Sequence, residues 1–123
     1  MKLSFTVEGK PQPKQRARRG KGGHWYTPSP TVKYEQEVAK AAMVAMSEQG
    51  IRKTAFPVQI EVCAYFPDAR VRDADNVLKS CQDALNGVVY LDDSQVSDCT
   101  ARRRIDRKRP RTDVIVWYTD EVD

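Results

Sequence analysis

FPVQIEVCAYFPDARVRDADNVLKSCQDALNG, residues 56–87, passes from a strand-like apolar pattern to a helical one. Within residues 56–66, the apolar side chains that share one face of a predicted strand are Val58, Ile60, Val62, Ala64 and Phe66. After the acidic Asp-Ala-Asp, Leu78, Cys81 and Leu85 recur at helical spacing, and the final Asn-Gly pair is typical of a helix end. The stretch therefore predicts a buried strand followed by an amphipathic helix.

A strand and a longer helix are predicted before this stretch. Leu3, Phe5 and Val7 alternate with polar residues, which predicts a half-buried strand. A helix is predicted to begin near Ser29, where the next proline suits a first turn, and to end at Gly50. Its apolar stripe consists of Tyr34, Val38, Ala41, Ala42, Ala45 and Met46.

Two further strands are predicted at the end of the chain. Residues 98–109 and 112–118 are predicted to form strands joined by a turn around Pro110, and the second is apolar on both faces, as in a central strand. The resulting order predicts an α+β fold: a single small domain over residues 1–123, with a mixed β-sheet and two α-helices on one face. A chain of 123 residues supplies one modest core.

The composition is that of an ordinary soluble protein. Hydrophobic residues make up 40% and charged residues 31% of the chain. No apolar run approaches the roughly 20 residues that cross a bilayer, and the N-terminus lacks the apolar core of a signal peptide. We therefore expect a cytoplasmic protein with no membrane partner.

The cysteine and histidine content argues against several kinds of catalytic site. Cys63, Cys81 and Cys99 are widely spaced, and we expect buried or half-buried free thiols, not disulfides. His24 is the only histidine and lies in a basic, glycine-rich segment. A Cys/His zinc site and a histidine-based nucleophile are therefore disfavoured, and no small-molecule cofactor is expected.

Positive charge is concentrated in two short segments, although the net charge is only +4. Residues 10–24 contain six basic side chains and no acid, and residues 102–111 contain seven against one aspartate. Such clusters favour nucleic acid, with a solvated charge run as the alternative. The Pro- and Gly-rich composition of residues 10–24 predicts a basic flexible loop that orders on a phosphate backbone. On charge, we expect DNA contacts from Lys14, Arg16, Arg18, Arg19, Lys21, Arg70, Arg72, Arg102 and Arg104.

Two pairs of aspartates stand out against this basic background. Asp73 and Asp75 lie where the strand passes into the helix, Lys79 follows one turn later, and Asp92 and Asp93 follow a short apolar run. One explanation is structural, because aspartate is a favoured helix cap and is common in turns. The other is that three or four carboxylates converge on Mg²⁺ or Mn²⁺, which prefer hard oxygen ligands. The spacing alone leaves both explanations open.

The basic clusters favour the second explanation. Metal-binding carboxylates beside phosphate-binding arginines are typical of an enzyme that hydrolyses phosphodiesters, since the metal activates water and neutralises charge on the reacting oxygens. Lys79 would stabilise the transition-state phosphate or orient the nucleophile.

The two acidic motifs together resemble those of the RusA family of Holliday junction resolvases, which are phage and prophage endonucleases. That family carries an R-D-x-D-N-x-x-K segment followed by an L-D-D-x-x-V segment. The matching residues are Arg72, Asp73, Asp75, Asn76, Lys79, Leu91, Asp92, Asp93 and Val96. GKPQPKQRAR and the helix beginning near TVKYEQEV also resemble some members, so that the resemblance covers most of the chain.

The resemblance implies a homodimeric endodeoxyribonuclease that needs Mg²⁺ or Mn²⁺ and makes paired nicks in four-way DNA junctions, in DNA recombination and repair. The family's essential carboxylates fall on Asp73, Asp75 and Asp93, which would bind the metal together with Asp92. Its catalytic lysine falls on Lys79. Asp83 also lies where the family often has an acid, and its implied role is a supporting one at most.

A physical argument also favours a dimer. Resolving a junction requires two symmetric cuts, and a two-fold dimer supplies two related sites. We expect the sheet face that the helices leave uncovered to help form the dimer contact.

Three other functions are compatible with parts of the sequence. Asp-x-Asp also binds metal-nucleotide in glycosyltransferases, although those enzymes are usually much larger. A non-catalytic nucleic-acid-binding module would use the aspartates structurally, with Trp25-Tyr26 as the only adjacent aromatic pair near basic residues. A nuclease for flaps or replication forks would use the same chemistry as a junction resolvase.

Overall fold

The computed structural model describes residues 1–70 and 72–119. Its strands are β1 (Lys2–Glu8), β2 (Arg18–Arg19), β3 (Trp25–Tyr26), β4 (Val58–Phe66), β5 (Val96–Ile105) and β6 (Arg111–Tyr118). Its α-helices are α1 (Ser29–Gln49) and α2 (Ala74–Leu85), and Asp93–Gln95 forms a one-turn 3₁₀ helix. Within the described ranges, neither α-helix is long and apolar enough to cross a membrane.

The main sheet has four strands in the order β1-β6-β4-β5. β6 is antiparallel to both β1 and β4, whereas β5 runs parallel to β4. A tight turn cannot join parallel neighbours, and α2 supplies the crossover from β4 to β5. The sheet is therefore mixed, and β6 is a central strand, as its apolar faces predict.

Both helices pack on one face of this sheet, which holds the core. The alternating apolar residues of β4 are buried, and Val114 and Val116 of β6 pair beside them. Tyr34 of α1 reaches the sheet through a 2.5 Å hydrogen bond between its hydroxyl and that of Thr112. The predicted apolar face of α2 is buried in the same layer. The predicted α+β architecture is confirmed.

The helix ends follow the sequence signals. Pro30 lies in the first turn of α1, and Gly50 caps its end with a φ of +67°, a left-handed conformation that favours glycine. Asp73 caps the start of α2, and Asn86 follows its end. The two helices are therefore bounded as the sequence predicts.

The C-terminal strands differ from the prediction. β5 spans Val96–Ile105, not residues 98–109, because the Asp106 carboxylate accepts the backbone N–H groups of Lys108 and Arg109 and turns the chain (3.1 and 3.0 Å). The turn then leads to β6, which pairs with β1 and β4. The two strands on either side of this turn are consequently not neighbours in the sheet.

The basic segment contains a short hairpin. β2 and β3 pair where the sequence predicts only a loop, while the flexibility of residues 10–24 stays a prediction.

The three cysteines differ in exposure. Cys81 is buried and Cys63 half-buried, but Cys99 is exposed, contrary to expectation. Cys99 lies on β5, which is an edge strand of the main sheet and is exposed along most of its length.

Candidate active site and basic surface

The connection from β4 to α2 is held by Arg72. Its guanidinium donates to both oxygens of Asp68, at 2.6 and 3.3 Å, and lies 4.9 Å from the ring centroid of Phe66. Hydrogen bonding to Arg72 and to the backbone of Arg70 lowers the pKa of Asp68 to about 2, so the ion pair persists at neutral pH. Arg72 therefore orients the start of α2, and its predicted contact with DNA stays a prediction.

α2 begins with the first pair of aspartates. Asp73 is its N-cap residue, and Asp73 Oδ1 accepts the backbone N–H of Asp75 at 2.9 Å. Asp75 lies in the first turn, Lys79 follows one turn later, and all three side chains are exposed. The structural explanation is thus realised for Asp73, but the cap engages one oxygen of a carboxylate that has two. Capping and ligand binding are compatible at this residue.

Asp92, in the second pair, has a capping role as well. It is the N-cap of the one-turn helix, and its Oδ2 accepts the backbone N–H of Ser94 at 3.0 Å. Hydrogen bonding to Ser94 lowers the pKa of the Asp92 carboxyl. The structure therefore distinguishes Asp92, which closes the turn, from Asp93, which lies inside it.

Gln95 fixes this acidic turn to the segment before β4. Its Oε1 accepts two backbone N–H groups of residues 91 and 92, and its Nε2 donates to the carbonyls of Thr54 and Phe56, both at 2.9 Å. These four bonds use the full hydrogen-bonding capacity of an amide side chain. Sequence reasoning missed Gln95, although an N-cap acid followed three residues later by glutamine follows the spacing of a capping box.

Asp93 is tied to α2 through Tyr90. The Tyr90 hydroxyl lies 2.7 Å from the carbonyl oxygen of Gln82 and 3.2 Å from Asp93 Oδ1. Burial raises the pKa of this hydroxyl far above its ordinary value, so Tyr90 stays a hydrogen-bond donor at neutral pH. Asp93 is therefore anchored to the later turns of α2, whereas Asp73 and Asp75 lie at its start.

The two acidic pairs do not merge into one cluster. Among residues 1–70 and 72–119, no group of three or more Asp, Glu, His or Cys side chains is arranged to hold a metal. The expected meeting of three or four carboxylates at one point is thus not found in the single chain. The physical reason is the length of α2, since Asp75 and Gln82 are about two turns, or roughly 10 Å, apart along its axis. The roles of the individual aspartates stay predictions.

Lys14 joins the basic segment to both helices. Its Nζ lies 2.7 Å from Glu35 of α1 and 3.0 Å from Asp83 of α2, and its backbone N–H donates to the Asn76 carbonyl at 2.8 Å. Partial burial opposes the charge, but hydrogen bonds to the two carboxylates outweigh it and raise the pKa of Lys14. Lys14 and Asp83 therefore have structural roles, and the expected contact between Lys14 and DNA stays a prediction.

The other cations predicted to bind DNA differ in how they are paired. Arg102 forms an ion pair with Glu61 on the uncovered sheet face, and Arg104 donates to a backbone carbonyl at 2.8 Å. By contrast, the ion pairs of the described ranges involve none of Arg16, Arg18, Arg19, Lys21 and Arg70. Within the described ranges, the arginines of the basic surface around β2 therefore keep their charge without an ion-pair partner.

The α+β domain thus carries two acidic turns and a basic surface around β2. The model of the family described as Endodeoxyribonuclease RusA matches residues 7–117. The match spans most of the chain, which therefore belongs to the RusA family.

Individual relatives agree with this family. The crossover junction endodeoxyribonuclease RusA of Escherichia coli (strain K12) is 41% identical over 66 residues, and its namesake from Enterobacteria phage 82 is 39% identical over 66 residues. These alignments cover 53% of this chain and 52% of each relative, so the chain spans about half the length of these curated relatives. The uncharacterized protein YqaN of Bacillus subtilis (strain 168) is 28% identical over 139 residues, covering 93% of this chain and 94% of YqaN.

Proposed function

We propose that this protein is a metal-dependent endodeoxyribonuclease that resolves four-way DNA junctions by paired symmetric nicks. The observation that carries the proposal is the exposed start of α2 in a chain of the RusA family, where Asp73 caps the helix and Asp75 lies one turn before Lys79. The junction as substrate follows from the names of the relatives, which are crossover junction endodeoxyribonucleases.

The acidic side chains suit Mg²⁺ or Mn²⁺ in their chemistry. Mg²⁺ is commonly held by one or two carboxylates, with waters and phosphate oxygens completing its shell. Asp73 and Asp75 would supply that pair, and Asp93, with Asp92 beside it, would supply a second acidic position. When bound, the metal would activate a water and neutralise charge on the phosphate.

The chain's own residues would orient the reacting groups. The cap holds Asp73 Oδ1 on the backbone N–H of Asp75, which restricts the rotation of that carboxylate. Lys79 places a positive charge one turn beyond Asp75, where it would stabilise negative charge that develops on the phosphate. Tyr90 restrains Asp93 in the same way from the buried side.

The working unit in this proposal is a homodimer, because two symmetric cuts need two related sites. The sheet face not covered by helices carries half-buried Tyr65 and Ile115, and Trp117 at 37% exposure. This apolar area would be partly covered by a second copy. A monomeric mass in solution at micromolar concentration would contradict the dimer.

The test compares a synthetic four-way junction with a linear duplex of matched sequence, in Mg²⁺ and in EDTA. Wild type should make paired nicks in the junction only, and only with Mg²⁺. Asp75→Asn keeps the size of the side chain but removes its charge, so cleavage should fall by roughly 100-fold or more while junction binding is retained. Asp98→Asn is the matched control, because Asp98 is an exposed aspartate on β5 outside both acidic pairs.

Other outcomes separate the alternatives. Equal loss of cleavage in Asp75→Asn and Asp98→Asn would remove the special role of Asp75. Tight junction binding without nicks in any metal would leave a binding module whose Asp73 and Asp92 are caps only. Cuts in flaps or forks, with the junction left intact, would keep the chemistry and change the substrate.

A further inference from the structure

The hairpin formed by β2 and β3 presents aromatic and basic side chains to solvent together. Arg18 pairs with Tyr26 and Arg19 pairs with Trp25 across the two strands. Trp25 is 68% exposed and Tyr26 44%, and both arginines are exposed. An indole this exposed contributes little to the core, because burial is what makes aromatic side chains stabilising.

The tip of this hairpin is shaped by its glycines. Gly22 and Gly23 both have a φ of +82°, and a Cβ at Gly23 would lie 3.1 Å from the guanidinium of Arg19. Arg19 therefore packs against the backbone of the tip. It lies on β2, directly across from Trp25 on β3. On the β3 side of the tip, the rings of His24 and Tyr26 are 6.3 Å apart.

The residues that lead into the hairpin are hydrogen-bonded to both α-helices. Besides the bonds of Lys14, the Ser80 hydroxyl donates to the Gln12 carbonyl at 3.1 Å, and the Gln15 N–H donates to Thr31 Oγ1 at 3.1 Å. These contacts attach residues 12–15 to α1 and to the first two turns of α2. Arg18 is four residues beyond Lys14, so the hairpin begins within roughly 14 Å of this attachment to the acidic helix.

The charges around Trp25 suit a nucleic acid better than a protein surface. No acid occurs in the sequence from residue 9 to residue 34, and within the described ranges Arg18, Arg19 and Lys21 form no ion pair, so the hairpin presents a positive field. Phosphate backbones are attracted by such a field, and exposed aromatic rings bind the faces of bases that are not stacked in a duplex. A fully paired duplex offers the phosphates but not the base faces.

We propose that Trp25, between the basic residues of this hairpin, stacks on an unpaired or unstacked nucleobase at the branch point of the DNA substrate, while Arg18 and Arg19 bind the flanking phosphates. This inference rests on the proposed function for its substrate. It assigns to the hairpin the recognition of branched DNA over duplex, separately from the acidic site that would cut it.

The first experiment reads out stacking directly. The chain contains two tryptophans, so Trp117→Phe leaves Trp25 as the sole indole fluorophore. In EDTA, titration with the four-way junction or with single-stranded DNA should quench this fluorescence, whereas matched linear duplex should leave it nearly unchanged. Trp25→Phe, with Trp117 as the remaining reporter, is the reciprocal control and should show much less quenching.

The second experiment measures affinity. Trp25→Leu should weaken junction binding by roughly tenfold or more and leave duplex binding within about twofold. Trp25→Phe keeps an aromatic face at the same position and should retain most of the affinity. A thermal melt and the solution mass of each variant show whether the fold or the association state has changed.

The outcomes distinguish this inference from the proposed function. Junction cleavage by wild type, with Trp25 unquenched and Trp25→Leu binding normally, would overturn the stacking role and leave the nuclease intact. If wild type fails to cut junctions, quenching by single-stranded DNA would still support the hairpin's role, and its absence would overturn it. A third outcome is that Trp25→Leu has a lower mass in solution than wild type, while DNA does not quench the fluorescence of the Trp117→Phe protein. Trp25 would then contact a second copy of the chain, which also overturns the inference.

Discussion

Tyr90 shows how a single buried hydroxyl links the second acidic pair to α2, the helix at whose start the first pair lies. It lies 2.7 Å from the Gln82 carbonyl and 3.2 Å from Asp93, while its side chain is completely buried. The hydroxyl has one proton, so the two acceptors share it. The Gln82 carbonyl also accepts the backbone N–H of Asn86, and it therefore keeps a partner if the hydroxyl is removed.

Tyr90→Phe should consequently affect function more than stability. The free energy of unfolding is expected to fall by about 1 kcal/mol, because one hydrogen bond is removed and no buried group is left wholly unpaired. Cleavage is expected to fall by roughly tenfold or more, since groups that orient a ligand matter to this extent. Chemical denaturation and single-turnover junction cleavage, at matched folded fraction, measure the two effects.

Tyr34→Phe is the matched control for this prediction. Tyr34 is also buried and bonds another hydroxyl, that of Thr112, but it joins α1 to β6 instead of touching Asp93. It should lose a similar amount of stability or more and keep its cleavage rate. Equal cleavage by the two variants would show that Tyr90 does not position Asp93.

At the residue scale, the sequence could identify the acidic residues but not their partners. Asp73 had two explanations, cap or ligand, and only the 2.9 Å bond to the Asp75 N–H shows that the cap is made. Gln95 bonds two carbonyls that lie 41 and 39 residues before it in the chain. Tyr90 bonds a carbonyl that lies 8 residues before it. The capping-box spacing indicates the local role of Gln95, but spacing along the chain carries no signal for the longer contacts, so the anchoring by Gln95 and Tyr90 is not predicted from sequence.

At the scale of the elements, the two ion pairs of Lys14 position the basic segment, residues 10–24, against α1 and α2. This ammonium bridges Glu35 on α1 and Asp83 on α2, and the side chain is only 26% exposed. Its removal would leave two carboxylates near one another without the cation between them. Because Glu35 belongs to α1 and Asp83 to α2, these ion pairs stabilise the packing of the two helices as well as the start of the basic segment.

Lys14→Met should therefore lower the free energy of unfolding by about 1–2 kcal/mol, between the values of exposed and buried ion pairs. The pKa of Lys14 is raised in the folded state above its ordinary 10.5. Its contribution is then fully present below that pH and disappears as the pH rises through the folded-state pKa. Denaturation from neutral to strongly alkaline pH should show a constant deficit that narrows only at the alkaline end.

Lys10→Met is the control for this prediction. Lys10 is an exposed lysine of the same segment, and it forms no ion pair among the described residues. Its replacement should change stability by no more than about 0.5 kcal/mol. A deficit for Lys14→Met that does not depend on pH would point to the packing of the lysine stem as its cause.

The elements that could be predicted are those with strong periodicity. β4 alternates over nine residues, and the 21-residue α1 carries an apolar stripe from Tyr34 to Met46; the sequence predicts both elements within a few residues. β2 and β3 have two residues each, too few to show a period, and their hairpin was missed. The end of β5 was missed because the acceptor that turns the chain is a side chain, Asp106, and not a proline or glycine.

Over the whole molecule, the two basic clusters differ in how far the protein neutralises them. Arg102 pairs with Glu61, and Arg109 and Glu8 form a 2.6 Å ion pair. Arg18 and Arg19 have no acidic partner within the part of the chain that the structure describes. Sequence counts make the clusters nearly equal, because the two glutamates that pair with arginines of the second cluster come from β4 and from the end of β1.

This difference predicts unequal contributions to DNA binding. Each cation that binds a phosphate releases counterions, so the slope of log affinity against log salt flattens by about 0.9 for each phosphate that is no longer neutralised. Arg18→Gln/Arg19→Gln should therefore flatten the slope by up to roughly 1.8, whereas Arg102→Gln/Arg109→Gln should flatten it less.

Both double variants remove two positive charges, so a general effect of net charge would act on them equally. Junction binding in EDTA over a range of salt concentrations measures the two slopes. Equal flattening would mean that Glu61 and Glu8 release their arginines to the DNA, and the C-terminal cluster would then be a second binding surface. If only Arg102→Gln/Arg109→Gln flattens the slope, the DNA binds at the C-terminal cluster and not at the hairpin.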